Sequence, residues 1–173
     1  KTKSARGNLA SYPIEEIIKK ARQATAEGVK EVWLTSQDTA CYGFDKNTNV
    51  ANLLTELCKI DKKFKIRLGM GNPDHFIKVY PEVIGAMKDE KVYKFLHVPL
   101  QAGSDQVLKN MKRGYEIKDY LEVINAFKKE FKDLTISTDV ICGFPGETEE
   151  QFRETIEIIK STKPDVVNVS RYW

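Results

Sequence analysis

The chain has 173 residues, of which 41% are hydrophobic and 31% charged, a balance that excludes a disordered or fibrous protein. Lys and Arg outnumber Asp and Glu by 28 to 25, and a net charge of +3 is too small to indicate nucleic-acid binding by itself. No apolar run approaches the ~20 residues of a membrane span, and residues 1–7 lack the apolar stretch of a secretory signal. We therefore expect a cytoplasmic protein with a single domain over residues 1–173 and no membrane segment.

Helices and strands alternate along the chain. Apolar residues at helical spacing, among them Ile14, Ile17 and Ile18, predict a first helix over residues 13–27 that stops at Gly28. Apolar runs predict strands that begin near residues 31, 65, 94, 135 and 166. Helical periodicity between the strands predicts helices near residues 50–60, 76–88, 117–131 and 148–161, with a short helical turn after Ser104 or Asp105. The last helix opens on a capping-box pattern at Thr148–Gln151.

The spacing of the predicted strands indicates the fold class. Each strand begins about 30 to 40 residues after the one before it, which is the length of one βαβ unit. Such alternation predicts an α/β fold of parallel strands, either an open doubly wound sheet or a (β/α) barrel of the TIM type. The barrel is favoured because no glycine-rich nucleotide fingerprint is present. The first element is a helix without a preceding strand, so we expect a partial barrel whose first strand lies upstream of Lys1 and whose sequence continues after Trp173.

Clusters of Gly, Pro and small polar residues indicate where a ligand binds. Each follows a predicted strand, at residues 35–39, 69–73, 99–105, 142–148 and 170–173. Because parallel strands present their carboxyl ends at one edge of a sheet, we expect all of these clusters to meet there. Asp139 lies in a strand otherwise rich in Ile and Val, where burying an unpaired carboxylate is costly, so we expect it to face the barrel mouth.

The cysteines do not indicate a metal site. Cys41, Cys58 and Cys142 are too far apart along the chain to match any metal-ligand spacing, so no metal ligand is predicted. Cys58 falls on an apolar helix stripe and is expected to be a buried, reduced thiol.

Several motifs in fixed order closely resemble the radical S-adenosylmethionine methylthiotransferases. They occupy residues 1–14, 33–43, 67–73, 97–115 and 138–148, so the resemblance covers essentially the whole chain. It is closest to the archaeal and eukaryotic branch, which acts on threonylcarbamoyladenosine in tRNA. The bacterial branches usually carry a Gly-Gln-Asn type of cluster where this chain has Ser36-Gln37-Asp38.

The resemblance implies a fold, a reaction and cofactors. It implies a radical S-adenosylmethionine core that methylthiolates C2 of N6-threonylcarbamoyladenosine beside the anticodon. Three cysteines spaced CxxxCxxC would hold a 4Fe-4S cluster, and in the family they lie just before the position of Lys1. This chain contains no such triplet, so we expect neither a cluster nor activity from it alone. The whole enzyme would need tRNA, an electron donor, a second cluster in an upstream domain and a downstream RNA-binding domain.

The resemblance also assigns cofactor-binding residues. Gln37 and Asp38 would accept hydrogen bonds from the amino group of S-adenosylmethionine, and Arg113 would hold its carboxylate in two parallel hydrogen bonds. Asp139 would bind the ribose hydroxyls, and the turn at Gly143 would let the adenine lie against backbone. For Gln37 and Asp38, the alternative is a side chain that orders its own turn.

There are four further candidates, and three of them have simpler alternatives. Asn72 precedes a proline and is also explained as a turn residue, while Ser104 is also explained as a helix cap. Gln101 offers a donor and an acceptor to cofactor or substrate. Arg171 is expected to contact one of them or to lie exposed at the end of the chain.

Other functions stay open. A methylthiotransferase acting on isopentenyladenosine in tRNA or on a ribosomal-protein aspartate is the nearest alternative. A phosphate-binding barrel aldolase or isomerase would place a catalytic Lys or Glu at a strand end, with glycine-rich phosphate loops after the late strands, and this chain offers Gln, Asn and Asp instead. The third alternative is a non-catalytic binding module.

Overall fold

The computed structural model describes residues 7–172, so the part of the motif match in residues 1–6 lies outside the described residues. Helices and strands alternate as predicted, and each strand begins within one residue of its predicted start. In chain order the elements are α1 (Ile14–Ala26), β1 (Glu31–Leu34), α2 (Val50–Cys58), β2 (Lys65–Leu68), α3 (Pro73–Phe76), α4 (Tyr80–Met87), β3 (Phe95–His97), α5 (Asp105–Asn110), α6 (Ile117–Glu130), β4 (Thr135–Cys142), α7 (Glu149–Thr162) and β5 (Val166–Arg171).

The segment around one predicted helix contains two separate helices in the structure. The sequence predicts a single helix near residues 76–88, whereas the structure ends α3 at Phe76 and begins α4 at Tyr80. The reason is Pro81, the second residue of α4, whose ring has no N–H to donate and clashes with a carbonyl one turn earlier in a continuing helix. A proline is tolerated only in the first turn, so the helix restarts there.

The strands are parallel and lie in chain order. β1 pairs with β2, and β4 pairs with both β3 and β5. The segment leading into β3 joins the two groups, because Ile66 N donates to Lys91 O (2.7 Å) and Tyr93 N donates to Ile66 O (2.9 Å). Within residues 7–172 the first and last strands are not paired with each other, so the described part is an open α/β barrel segment.

The two faces of the sheet differ in polarity. Ile66, Leu68 and Leu96 point to one face and are almost fully buried against the helices. Trp33, Arg67 and Phe95 alternate with them and point to the other face, where the Arg67 guanidinium lies 4.6 Å from the Trp33 ring and 4.3 Å from the Phe95 ring. Helices therefore cover one face, and the face corresponding to a barrel interior stays open and polar.

The last helix is held by polar contacts as well as by Ile158 and Ile159, which are only partly buried against the core. α7 opens on the predicted capping box, in which Thr148 and Gln151 each bond the other's backbone N–H. Its only fully buried residues among those described are Thr155 and Thr162. Gly103 N donates to Thr155 Oγ1 (2.7 Å), and a Cβ on Gly103 would lie 2.3 Å from the Thr155 Cα, so this approach requires glycine. None of the helices in residues 7–172 is both long and apolar enough to cross a membrane.

Candidate functional site

Backbone hydrogen bonds bring the loops after the first three strands together at the carboxyl edge of the sheet. Gly69 N donates to Leu34 O (2.9 Å), and Thr39 N donates to Met70 O (2.8 Å). Gly71 N donates to His97 O (3.1 Å), which joins the loop after β2 to the end of β3. The polar clusters that follow these strands therefore lie side by side.

Asp38 is the centre of a network between the loops after β1 and β2. Its Oδ1 accepts from the backbone N–H groups of Ala40 and Asn72, both at 3.1 Å. Its Oδ2 accepts from Asn72 Nδ2 (2.7 Å) and lies 2.5 Å from His75 Nδ1. The structure thus brings Asp38 and Asn72 together, but each oxygen of this carboxylate already has two partners within the protein.

The network shifts the acidity of its members. Burial alone raises the pKa of Asp38, but the hydrogen bonds from His75 and Asn72 outweigh it and hold that pKa below its usual value. The hydrogen bond to Asp38 raises the pKa of His75. Burial, reinforced by the negative charge of Asp38, raises the pKa of the Cys41 thiol to about 11. The region around Cys41 therefore carries a negative potential.

A second network lies on the open face of β3, β4 and β5. His97 Nε2 lies 2.9 Å from Asp139 Oδ2, and Asn168 Nδ2 donates to Asp139 Oδ1 (2.8 Å). Asn168 is directly opposite Asp139 in the strand register, so the three side chains share one face. The Asp139 side chain remains 31% exposed, which leaves lone pairs accessible to a ligand hydroxyl.

Gln101 lies beside this second network. Its backbone N–H donates to Asp139 O, and its carbonyl accepts from Ile141 N, both at 2.8 Å. These bonds hold Gln101 in the left-handed region (φ 67°) at the edge of β4. Ser104 is buried at the N-cap position of α5, without a side-chain cap hydrogen bond. The predicted cap position is observed, and the hydroxyl is not used to close it.

Arg113 occupies the loop between α5 and α6. Its Nε is buried without a hydrogen-bond partner among the described residues. The loop is held by Tyr115, whose hydroxyl donates to Leu100 O (2.8 Å), and it packs against the carboxylate of Asp74 at Gly114. An orphaned guanidinium N–H fits an anionic group such as the carboxylate of S-adenosylmethionine.

The turn after β4 leaves open space beside its backbone. Gly143 has φ +76°, and a Cβ there would meet nothing within 4 Å. Glu147 orders this turn, because its Oε2 accepts from the backbone N–H groups of Gly143 (2.8 Å) and Phe144 (3.3 Å). Glu147 Oε1 is buried without a partner among the described residues.

Two predicted residues are less closely tied to these networks. Gln37 is exposed in the loop after β1. Arg171 is opposite Cys142 in the register, and strand alternation places it on the other face from Asn168 and Asp139.

The sequence analysis missed His75, His97, Asn168 and Glu147. His97 had a visible signal, since it is a polar residue in an apolar run that ends at a proline. His75 and Asn168 had none, because their partners lie 37 and 29 residues away along the chain.

The three cysteines do not fit a 4Fe-4S cluster. Cys41 lies in the loop after β1, at the carboxyl edge, and Cys142 ends β4. Cys58 ends α2 at the opposite edge, where Lys91 Nζ donates to its carbonyl (2.8 Å) just before β3. All three thiols are free, and within residues 7–172 they do not converge on one place.

Comparison with known proteins identifies the family. The model of the radical SAM superfamily matches residues 1–159, so the chain belongs to that superfamily. The chain is 50% identical over 171 residues to a probable threonylcarbamoyladenosine tRNA methylthiotransferase of Pyrococcus horikoshii, covering 99% of this chain and 40% of that protein. It is 44% identical to the human threonylcarbamoyladenosine tRNA methylthiotransferase, covering 100% of this chain and 30% of that protein.

A solved structure confirms the fold. The radical S-adenosylmethionine methyltransferase TsrM from Kitasatospora setae, with cobalamin and a 4Fe-4S cluster bound, superimposes with a TM-score of 0.72 at 14% identity. The match covers 92% of this chain and 31% of that one. The predicted partial barrel of the radical SAM type is therefore correct. The chain spans only 30 to 40% of the length of the two methylthiotransferases.

Proposed function

We propose that the protein to which this chain belongs is a radical S-adenosylmethionine enzyme that methylthiolates C2 of N6-threonylcarbamoyladenosine in tRNA. The observation that carries the proposal is the similarity to proteins of that name, 50% in an archaeon and 44% in human, along essentially the whole chain. The similarity extends along essentially the whole chain to proteins from organisms as distant as an archaeon and human. Such an extensive similarity favours a shared reaction over a shared fold alone.

In this proposal the chain supplies the wall of the cofactor site. Arg113, whose Nε has no hydrogen-bond partner among the described residues, binds the carboxylate of S-adenosylmethionine through its guanidinium, and Asp139, with Gln101 beside it, binds the ribose. The adenine lies against the open turn at Gly143. Asp38 and Asn72 hold the neighbouring loops in place, while Gln37, Ser104 and Arg171 contribute at the rim. When bound, a 4Fe-4S cluster held by other residues of the longer protein would supply the electron that starts radical chemistry.

The proposal also implies a substrate, an electron donor and a cellular location. The substrate is a tRNA and an electron donor reduces the cluster, both in the cytoplasm. The net charge of +3 on this chain indicates that the affinity for tRNA comes mainly from other parts of the protein.

The decisive experiment identifies the product. The full-length protein, reconstituted anaerobically with iron and sulfide, is incubated with S-adenosylmethionine, a reductant and tRNA carrying threonylcarbamoyladenosine, and the digested nucleosides are analysed by mass spectrometry. We expect a methylthio group on that nucleoside. Methylthiolation of isopentenyladenosine or of a ribosomal-protein aspartate instead would assign the protein to another branch, and no methylthiolated product from any of the three would refute the proposal.

A matched pair of variants tests the cofactor site. Arg113→Gln should raise the KM for S-adenosylmethionine about tenfold, because an ionic hydrogen bond of about 1.4 kcal/mol is lost. Arg153→Gln is the control, since Arg153 pairs with Glu149 on an exposed face of α7. Equal KM values for the two variants would exclude Arg113 from the site.

A further inference from the structure

We propose that Asp38, Cys41 and His75 form a binding site for one divalent transition-metal ion, of which zinc is the best fit. One ligand atom from each residue is available, and the three atoms lie within 4.8 Å of one another. The site bridges the loop after β1 and the start of α3. Its existence does not depend on the proposed function.

The donor set is chemically suited to zinc. A thiolate, an imidazole nitrogen and a carboxylate oxygen are the three side-chain ligands that zinc takes in proteins, and a water molecule completes a tetrahedral site. Harder ions such as Mg²⁺ and Ca²⁺ require oxygen ligands, so the sulfur of Cys41 argues against them.

The ligand positions need only small adjustments. Metal–ligand bonds of about 2.0 Å in a tetrahedron place two donor atoms about 3.3 Å apart. Asp38 Oδ2 and His75 Nδ1 are 2.5 Å apart, so the metal ion would replace the proton between them, which passes to solvent, and would separate the two atoms slightly. Cys41 Sγ now contacts the Asp38 carbonyl (3.2 Å) and would turn toward the ion. Because the His75 side chain is 32% exposed, the ring has room to move.

The groups around the carboxylate are already arranged as they are around a metal ligand. The backbone N–H groups of Ala40 and Asn72 and the Asn72 amide all donate to Asp38, which fixes the orientation of its carboxylate. Such outer hydrogen bonds orient metal-binding carboxylates and imidazoles. A metal ion on Oδ2 would displace only the contact with His75, so the other three hydrogen bonds persist.

The local charge favours a cation. Asp74 Oδ1 lies 3.8 Å from His75 Nδ1, and the negative charges of Asp38, Asp74 and Asp45 all act on Cys41. The positive charge of Lys78 opposes this effect and lowers the pKa of His75. The same negative charges that disfavour the free Cys41 thiolate attract a dication. Metal binding releases the Cys41 proton to solvent as the sulfur–metal bond forms.

The test uses the 173-residue chain itself, with Co²⁺ as a spectroscopic probe and Zn²⁺ in calorimetry. We expect one ion per chain and a sulfur-to-cobalt charge-transfer band in the near ultraviolet. Cys41→Ser should abolish the band, and His75→Gln should weaken Zn²⁺ binding at least tenfold. Cys142→Ser and Cys58→Ser are matched controls that should change neither, because those thiols lie outside the site.

A second measurement needs no variant. Zn²⁺ should protect Cys41 from alkylation, read by peptide mass spectrometry, and leave the alkylation of Cys142 unchanged. Absence of stoichiometric binding, a charge-transfer band that survives Cys41→Ser, or equal protection of Cys41 and Cys142 would each overturn the proposal. Failure of the methylthiolation assay would leave these readouts unaffected, so the two proposals fail separately.

Discussion

Two His–Asp pairs at the same edge of the sheet have different surroundings. In the loop pair, Asp38 and His75, the carboxylate accepts two backbone N–H groups and the Asn72 side chain, and the Asp38 side chain is only 11% exposed. In the strand pair, His97 and Asp139, the carboxylate contacts the side chains of His97 and Asn168 and is 31% exposed. The loop pair therefore holds backbone in place, whereas the strand pair leaves side-chain atoms exposed at the place where we propose that the cofactor binds.

The largest expected difference is in stability. Asp38→Ala removes four hydrogen bonds and leaves buried N–H groups without acceptors, so the free energy of unfolding should fall by about 2–4 kcal/mol. Asp139→Ala should cost less than about 1 kcal/mol, because its partners are more exposed. Urea denaturation of both variants of the chain measures the difference, and equal losses would contradict the comparison.

The next largest effect is expected on cofactor binding. Here the strand pair should matter more than the loop pair, which is the reverse of the order expected for stability. In the full-length enzyme, Asp139→Asn should raise the KM for S-adenosylmethionine about tenfold, because one charged acceptor for a ribose hydroxyl is lost. Steady-state kinetics at saturating tRNA measures it. Asp133→Asn, on an exposed turn before β4, is the control and should leave KM unchanged. A normal KM for Asp139→Asn would show that the strand pair does not bind the cofactor.

A smaller, pH-dependent effect separates the pairs further. The pKa of His75 is raised from 6.5 in the folded state, so its contribution to stability is complete below pH 6.5 and is lost as the pH rises through the raised value. The pKa of Asp38 is lowered from 3.8, so its contribution is present above that pH and is lost as the pH falls through the lowered value.

The unfolding midpoint of the wild-type chain should therefore approach that of His75→Gln as the pH rises from 6 toward 9. The measurement is a series of urea titrations at each pH. A constant difference between the two proteins across this range would mean that the loop pair carries no charge on His75.

The smallest effect concerns the support of the strand pair. The Arg67 guanidinium stacks on Phe95, whose ring contacts His97 edge-on at 6.4 Å between centroids. A double-mutant cycle of Arg67→Met with Phe95→Leu should give a coupling energy of about 0.5–1 kcal/mol. The more distant pair Lys20 and Tyr12, 5.8 Å apart, should give less. A coupling near zero would mean that the stack does not support His97.

The sequence predicts the elements well because their signals are local. The strand starts and the capping box of Thr148 and Gln151 depend on residues close together in the chain, and they are observed as predicted. The break before α4 is not predicted by the sequence, because the apolar periodicity continues on both sides of Pro81. A proline compatible with a first turn looks the same, in sequence, as a proline inside a longer amphipathic pattern.

The site is predicted less completely because its contacts are not local. The prediction that Asp139 faces the barrel mouth followed from the cost of burying a carboxylate, and the residue does lie on the open face. That its partners are His97 and Asn168 depends on strand register, which the sequence alone does not specify. For Asp38, the prediction of a cofactor contact stays a prediction, and its observed partners support the alternative of a residue that orders its loop.

The polar attachment of α7 has a consequence for motion. α6 buries four side chains, Tyr120, Val123, Ile124 and Phe127, whereas α7 fully buries only two threonines. With so little apolar surface to expose, α7 is the helix expected to detach at the lowest free energy, so its amides should exchange with solvent deuterium sooner than those of α6. Because Gly103 is bonded to Thr155, each such opening would also release the loop that carries Gln101 and Ser104.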